Sequence, residues 1–546
     1  MTRSTLLLIG LVSVLTLIGC NELLGLGYDY DYEETGASGA SGASGGAQDG
    51  GICAPGSSTS CYPGPEETMG VGACKEGSKT CAPDGTGYGE CAGFQAPVVE
   101  DCATPGEDES CDGEPACNGS QVWLKGFGDN GEQYGKRVAA DAGGNVVITG
   151  SFGGAVNFGG EDLASGGGMD VFVAKLGADG AHRWSKRFGD AENQYATDVA
   201  VDKDGNILVA GYFTGVIDLG GGALESAGAT DAFVAKFNGD GDHVWSYPLG
   251  DAMSQAARSV RADAQGNVVL VGDYQGTLIV GGNPLTPKGL NDIFIVKLSP
   301  QGTVLFSKSA GGPGNDFAAR VLTDAGSGIL LLGSFAGSID FEGGATETSN
   351  GGFDVVLVKL DPSGNYQWSG AFGNSLDDDA KDVAIDGEGS IVVAGDFASE
   401  LSAGGPVLSC QGKTDVFVAK FDSSGGHVWS RGFGDAEMQR VRAIDVDSRG
   451  NIVVAGEFSG ELSFGGDPLV SPAGADIFIA KLDPGGNPIW SKQAGDAGIR
   501  ECHDIAVDGL GHVVGTGYFN GVMDFGGTPI LSAGQAPDIF VAKLSP

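Results

Sequence analysis

Two neighbouring stretches decide the fold: Asp198–Val216, DVAVDKDGNILVAGYFTGV, and Asp231–Tyr247, DAFVAKFNGDGDHVWSY. Each consists of short apolar runs, rich in Val, Ile, Phe and Ala, cut by Asp/Gly/Asn clusters, and these are the signals of strands and tight turns. VAVD reads as one strand, ILVAG as a second, FVAKF as a third and the Trp-containing run as a fourth, named A, B, C and D in chain order. KDGN and NGDGD turn A into B and C into D, whereas B reaches C through the 17 residues TGVIDLGGGALESAGAT.

The same pattern recurs on either side. D-x-F-V-A-K-L and its variants begin at Asp170, Asp231, Asp292, Asp354, Asp415, Asp476 and Asp538, at intervals of 61 or 62 residues. An aromatic residue marks each D strand: Trp123, Trp184, Trp245, Phe306, Trp368, Trp429 and Trp490. A fixed period of this kind is the mark of arrays and propellers, and four short strands per unit is the β-propeller plan. The chain enters the repeats on a D strand, at Trp123, and leaves them on a C strand, at Leu544. The seventh unit therefore completes itself only by borrowing the first strand, which predicts an all-β, closed seven-bladed β-propeller over residues 119–546.

Composition agrees. The 546 residues include 99 Gly and 21 Pro, too many for long helices, while 41% hydrophobic residues still allow a large core. With 71 acidic residues against 30 basic, the net charge of −41 argues against nucleic acid or an anionic membrane surface as partner. The repeat consensus, xDVAVDxxGNIxVAGxFxG with DxFVAKLxxxGxxxWS, resembles the seven-bladed beta-propeller repeat (SBBP) family. That resemblance implies an exported or cell-surface protein, some members being similar to S-layer proteins, and names no activity.

Three segments precede the repeats. Residues 1–20, MTRSTLLLIGLVSVLTLIGC, carry one basic residue, an apolar run and a terminal Leu-Ile-Gly-Cys, and resemble a bacterial lipoprotein signal peptide acylated at Cys20. Asn21 follows where Asp would favour inner-membrane retention, so the expected location is the outer membrane, on its periplasmic face or at the cell surface. Residues 21–51, including GASGASGASGG, read as a flexible tether. Residues 52–118 hold Cys53, Cys61, Cys74, Cys81, Cys91, Cys102, Cys111 and Cys117 without C-x-x-C or His, which predicts a four-bridge disulfide module of unassigned pairing rather than a zinc site. This segment resembles Cys-rich stalks of myxobacterial surface lipoproteins. Its acidic run from Glu100 to Cys117 is read first as a solvated loop and second as a calcium ligand set.

Residues present in every repeat are assigned to the scaffold. Asp141, Asp202, Asp263, Asp324, Asp386, Asp447 and Asp508 end the A strands and suit a turn in which the carboxylate accepts N–H groups two residues on. A cation-binding ring of these seven is the lesser alternative. Lys175, Lys236, Lys297, Lys359, Lys420, Lys481 and Lys543 lie in the C strands, where a buried ammonium needs a carboxylate from strand A or from the start of strand C. The Trp positions suit packing between blades. His182, His243 and His427 recur before the D-strand Trp, leaving His503 and His512 as unrepeated imidazoles. Asp377, Asp378 and Asp379 are a weak calcium candidate, with a solvated loop preferred, and Cys410 and Cys502 occupy non-equivalent places.

No nucleophile or metallohydrolase motif is present, and the lone G-x-G-x-x-G at Gly126–Gly131 opens no helix. The leading expectation is a lipid-anchored, non-enzymatic binding or structural module without a cofactor. A protein or glycan ligand is expected on the face bearing the B–C and D–A connections. A propeller-type lyase or glycosidase is the alternative, and it would need two close carboxylates outside the repeated set.

Overall fold

The computed structural model describes residues 53–63, 68–98, 117–495 and 498–546. The expected signal segment with Cys20, the tether, and Cys102 and Cys111 lie outside the described residues. In the small module, Ser58–Cys61 pairs antiparallel with Gly77–Thr80. Disulfides join Cys53 to Cys81 and Cys61 to Cys91, and Cys74 and Cys117 are also disulfide-bonded. Cys410 and Cys502 are free thiols.

The repeat region is all-β and propeller-like. In the second repeat, Gln194–Val201, Ile207–Phe213, Asp231–Phe237 and His243–Leu249 form an antiparallel sheet in the order A-B-C-D, and this order recurs along the chain. The third and fourth units join into one eight-stranded sheet where Ala310 and Gly311 pair with Phe341 and Asp340. The N-terminal strand Gln121–Phe127 pairs with the last strand, Asp538–Leu544, and places Trp123 opposite Lys543. Trp184 stands opposite Lys175 and Trp245 opposite Lys236 in the same register within single repeats.

Two connections differ from the sequence reading. The B–C segment is a second β-hairpin, for instance Val216–Asp218 paired with Ala223–Glu225, because its alternation sends Ile217 inward and leaves Asp218 and Glu225 in solvent. In the fourth and sixth repeats the B and C strands run straight into this hairpin, as Ile329–Phe341 with Thr346–Leu360 and Ile452–Leu462 with Leu469–Leu482. The D–A connection is also shorter than expected, since strand A begins at Gln133, Gln194 or Gln255, within what reads as loop.

Cohesion between sheets is apolar. One cluster joins Leu208, Ala210 and Val234 of the second repeat to Val268, Leu270 and Phe294 of the third, all fully buried, and interfaces of this type recur along the chain. The D-strand indoles add a directed contact. Trp123, Trp184, Trp245, Trp429 and Trp490 donate from Nε1 to a C–D turn carbonyl about 55 residues on, at 2.8–3.2 Å. A glycine with positive φ tops each such turn: a Cβ on Gly241, at φ +81°, would stand 2.9 Å from the Trp184 ring.

All seven C-strand lysines meet the Asp that ends strand A of their own repeat. The distances are 3.0 Å for Lys175–Asp141, 2.8 Å for Lys236–Asp202, 2.8 Å for Lys297–Asp263, 2.5 Å for Lys359–Asp324, 2.9 Å for Lys420–Asp386, 3.1 Å for Lys481–Asp447 and 2.8 Å for Lys543–Asp508. The same carboxylates form the turn. Asp202 Oδ1 accepts the N–H groups of Asp204 and Asn206, both at 2.9 Å. One carboxylate thus closes the A–B turn and neutralises a buried ammonium.

Deleting residues 119–127 would leave Asp538–Leu544 as an open sheet edge. The truncated protein is expected to melt at a lower temperature, with a broader transition, and to associate in size-exclusion chromatography. An unchanged melt and a monomeric elution would show that the terminal pairing adds nothing.

Candidate functional site: the converging A strands

Each A strand carries a β-bulge at the same place, between Gly135 and Arg137, Ala196 and Asp198, Ala257 and Ser259, Ala318 and Arg320, Ala380 and Asp382, Val441 and Ala443, and Cys502 and Asp504. The extra residue breaks the in-out alternation and aims side chains that period-two counting would send elsewhere. Non-repeated groups are thereby brought together where the strands converge.

Arg320, 2% exposed, is at the centre. Its guanidinium meets Asp382 at 2.7 Å, Asp504 at 2.8 Å and Asp198 at 3.2 Å, carboxylates from three other repeats. Burial works against its charge and the three carboxylates outweigh it, so its proton is held more firmly than that of a free arginine. Arg137 and Arg261 reach the same cluster, the latter 2.7 Å from Asp198.

These side chains also tie repeat to repeat. Asp504 accepts the Val138 N–H, Asp198 that of Val260, Asp382 that of Ile444 and Asp445 that of Val507, at 2.7–3.1 Å. The Ser259 hydroxyl accepts the Val321 N–H at 3.2 Å, and Arg137 donates to the Thr197 carbonyl at 3.0 Å. Beside Arg320, toward the short A–B turns, lies a cavity of about 290 Å³ lined by Val138, Val199, Arg261, Asp382, Asp445 and Asp504. Burial lifts the Asp445 carboxyl there to about 6.

At the opposite end, where the D–A and B–C connections enter, is a second cluster. Strand A supplies Tyr134, Lys136, Tyr195, Arg258, Arg442, Glu501 and His503, and strand B supplies Tyr212, Asp273, Asp396, Glu457 and Tyr518. Tyr134 meets Tyr518 edge to face with centroids 5.1 Å apart, His503 meets Tyr518 likewise at 5.1 Å, and Tyr195 lies 5.2 Å from Tyr212. Arg442 bridges Glu457 at 2.9 Å and Glu501 at 3.3 Å, and Arg258 grips Asp273 at 2.6 and 3.0 Å. His503 uses both ring nitrogens, Nδ1 against the Gly135 carbonyl at 3.0 Å and Nε2 against Glu501 at 3.1 Å.

Their environments separate these groups. The His503 bond, then Tyr518 and Arg442, hold Glu501 down at about 2 against its desolvation, while burial raises Glu457 to about 7 and Asp396 to about 6. Burial presses His503 down to about 4, so the imidazole is neutral at pH 7 and its single N–H donates to the Gly135 carbonyl or to Glu501, one at a time. Burial, reinforced by Arg137, lowers Lys136 to about 8.

The remaining sequence candidates are dispersed. Asp377 accepts the Phe353 N–H at 2.9 Å, Asp378 is fully buried and accepts the Asn374 N–H at 2.6 Å, and Asp379 pairs with Lys381. The three carboxylates thus turn to three different partners, and no group of three or more acidic, His or Cys side chains among the described residues is arranged to hold a metal ion. His182, His243 and His427 each face the Ser three residues on, at 3.1–3.3 Å, a structural repeat. His512 stands in the A–B turn, 3.0 Å from Asp508.

Sequence reasoning missed Arg320, Asp198, Asp382 and Asp504, and most of the tyrosines. The available signal was that the fifth position of strand A varies, reading Arg137, Asp198, Ser259, Arg320, Asp382, Ala443 and Asp504, while the next position is always Val or Ile. A further variable position begins strand A. The residues there are Gln133, Gln194, Gln255, Asp316, Gln439 and Arg500, with Asp378 just before the fifth A strand. Arg500 pairs with Asp476 at 2.8 Å, whereas burial, with Asp292 nearby, raises Asp316 to about 7.

Residues 183–215 match the family described as "Beta-propeller repeat" (SBBP). The chain is a β-propeller repeat protein. It is 20% identical over 502 residues to the uncharacterized WD repeat-containing protein L264 of Acanthamoeba polyphaga mimivirus, covering 73% of this chain and 36% of that protein. It is 25% identical over 256 residues to the regulatory protein FlaEY of Caulobacter vibrioides, covering 42% and 26%. The chain therefore aligns with about a third of the length of the first of these curated relatives and about a quarter of the second. Among solved structures, the Neurospora crassa Pan2 WD40 domain aligns with 76% of this chain and 89% of its own, at 12% identity and a TM-score of 0.38. No helix among the described residues is long and apolar enough to cross a membrane.

Two substitutions probe the propeller's charged interior. Arg320→Met strands three buried carboxylates and is expected to cost about 3–5 kcal/mol in urea unfolding. The loss should be smaller at pH 5 than at pH 8, because the orphaned acids can take up protons at the lower pH. Asp316→Asn should act oppositely. The folded protein holds the Asp316 proton up to about pH 7, whereas an unfolded Asp releases it near pH 4, so this group lowers stability as pH rises between the two. D316N is expected to be more stable than wild type by about 1–3 kcal/mol at pH 8, the difference closing near pH 4.

Proposed function

We propose that this protein is an exported lipoprotein, acylated at Cys20 and held by the 21–51 tether and the Cys-rich module at the outer membrane, on its periplasmic face or at the cell surface. Its residues 119–546 act as a closed seven-bladed β-propeller that binds a protein or glycan ligand on the long-loop face without chemistry. The pairing of Gln121–Phe127 with Asp538–Leu544, in the register that D and C strands keep elsewhere, supports closure. The observation that carries the binding reading is the collection of non-repeated aromatic and charged side chains at one end of the converging A strands, on a scaffold whose repeated residues are used in turns and ion pairs. Binding sites are commonly built this way, from variable positions on a rigid frame.

The absence of chemistry is supported by the state of the imidazole at this mouth: His503 lies between the Gly135 carbonyl and Glu501 and its proton affinity is low. One observation favours the second reading, a glycosidase. Glu457 and Glu501 share Arg442 but are driven apart in acidity, to about 7 and about 2, the division of labour a carboxylic acid and a carboxylate need.

The detergent-solubilised full-length protein, used as bait on intact-cell extracts and on a glycan array, is expected to retain a ligand that the double variant Tyr212→Ala/Tyr518→Ala loses at least tenfold. Retention unchanged in the double variant would place the ligand elsewhere. Release of shortened sugar by wild type but not by Glu457→Gln would replace the non-enzymatic reading with the second.

A further inference from the structure

The long-loop mouth is close to charge-balanced on a strongly acidic molecule. Lys136, Arg258, Lys381, Arg440 and Arg442 are there with Glu132, Asp273, Asp379, Asp396, Glu457 and Glu501, five against six, on a chain of net charge −41. Most of these cations are already engaged: Arg258 with Asp273, Lys381 with Asp379, Arg442 with Glu457 and Glu501. Lys136 differs. It is half-buried on strand A, its ammonium lies 5.8 Å from the Tyr134 ring centroid, and no ion pair or hydrogen bond joins it to any described residue. The repeated lysines of this protein all have a carboxylate partner, so an unpaired one in a partly desolvated place calls for an anion from outside.

The surroundings define that anion. On its own strand Lys136 has Tyr134, with Glu132 bonded to that phenol, and the Arg137 guanidinium; the neighbouring A strands carry Glu501 and His503 to one side and Tyr195 and Thr197 to the other, Arg442 stands one A strand further on, and the B strands carry Tyr518 and Tyr212. Glu501 does not serve as its counter-ion, being taken by His503, Arg442 and the Tyr518 hydroxyl. Two pairs of half-buried tyrosines at this mouth, Tyr134 with Tyr518 and Tyr195 with Tyr212, offer ring faces, and Tyr195 and Tyr212 offer hydroxyls, to a flat, polyhydroxylated ring bearing one negative group. A polyanion would be repelled by the whole molecule, whereas a single charge is not strongly opposed at a mouth whose own charges nearly cancel.

Resting on the binding reading above, we propose that the long-loop mouth recognises a lone uronate residue in an otherwise neutral glycan, with Lys136 pairing the carboxylate and the Tyr134, Tyr195, Tyr212 and Tyr518 cluster holding the sugar ring. The pairing has a second consequence. Burial lowers the Lys136 ammonium to about 8 in the free protein, and a bound carboxylate would restore it, so binding near pH 8 takes up protons from solution.

The test is calorimetric titration of the full-length protein with three probes: a glucuronate-terminated disaccharide, its methyl ester and the matching glucose-terminated disaccharide. The acid is expected to bind at least tenfold more tightly than the ester. Lys136→Gln should erase that preference while leaving ester affinity and melting temperature unchanged, and Lys136→Arg should keep it. At pH 8, titrations in buffers of different ionisation enthalpy should reveal proton uptake by wild type and none by K136R. Equal affinity for acid and ester, or an unaltered K136Q, overturns the inference. If the neutral disaccharide also binds as tightly as the acid and is lost in Y518A, the mouth is a binding site of another specificity and the broader reading stands. If none of the three probes binds, the uronate inference falls, and the extract and array captures decide the broader reading independently.

Discussion

The Arg320 guanidinium and its three carboxylates are the interaction on which the rest depends. Three strands from distant parts of the sequence bring a carboxylate to within hydrogen-bond reach of one side chain on a fourth, in a place where a charge without partners would cost several kcal/mol. The same carboxylates accept backbone N–H groups of the following repeats. The cluster therefore sets the spacing of the A strands and occupies the space between them. It divides the interior into the small cavity on the short-turn side and the tyrosine-rich mouth on the other.

Around this centre the ion pairs follow two rules. The Lys–Asp pairs repeat, one per unit, with the carboxylate completing its own turn, and their regularity makes them scaffold. The central and mouth pairs do not repeat. They rely on residues that differ from one unit to the next, and their carboxylates range from Glu501, held near 2, to Glu457, raised to about 7. Burial and partnering together decide the difference: Glu501, half-exposed, is hydrogen-bonded by an imidazole and a phenol, while Glu457, though paired with Arg442, is nearly fully buried. The free thiols have little part in this, Cys502 lying in an apolar cluster.

Strand identity, the four-strand unit and the borrowed first strand were legible from periodicity, because apolar runs between Asp/Gly turns leave few alternatives. The Lys–Asp partnership was legible too, since a lysine recurring inside a C strand must be neutralised. The B–C hairpins were not. Their apolar residues are few and spaced among glycines, so Ile217 gives no strand signal until the sheet below it is in place. The mouth was legible as a location, from connection length, and not as a residue set.

The amino-acid order alone determined the repeated parts: which segments are strands, where they turn, and that Asp202 and Lys236 with their equivalents are structural, because each rests on contacts within about 35 residues or on strict recurrence. Only the tertiary structure decided which unrepeated residues meet. Asp382, Asp198 and Asp504 lie 62, 122 and 184 residues from Arg320, and Lys136 lies more than 360 residues from Glu501. No local pattern joins them. A bulge in every A strand aims these side chains inward, and the convergence of the strands then sets guanidinium, carboxylate and tyrosine side by side.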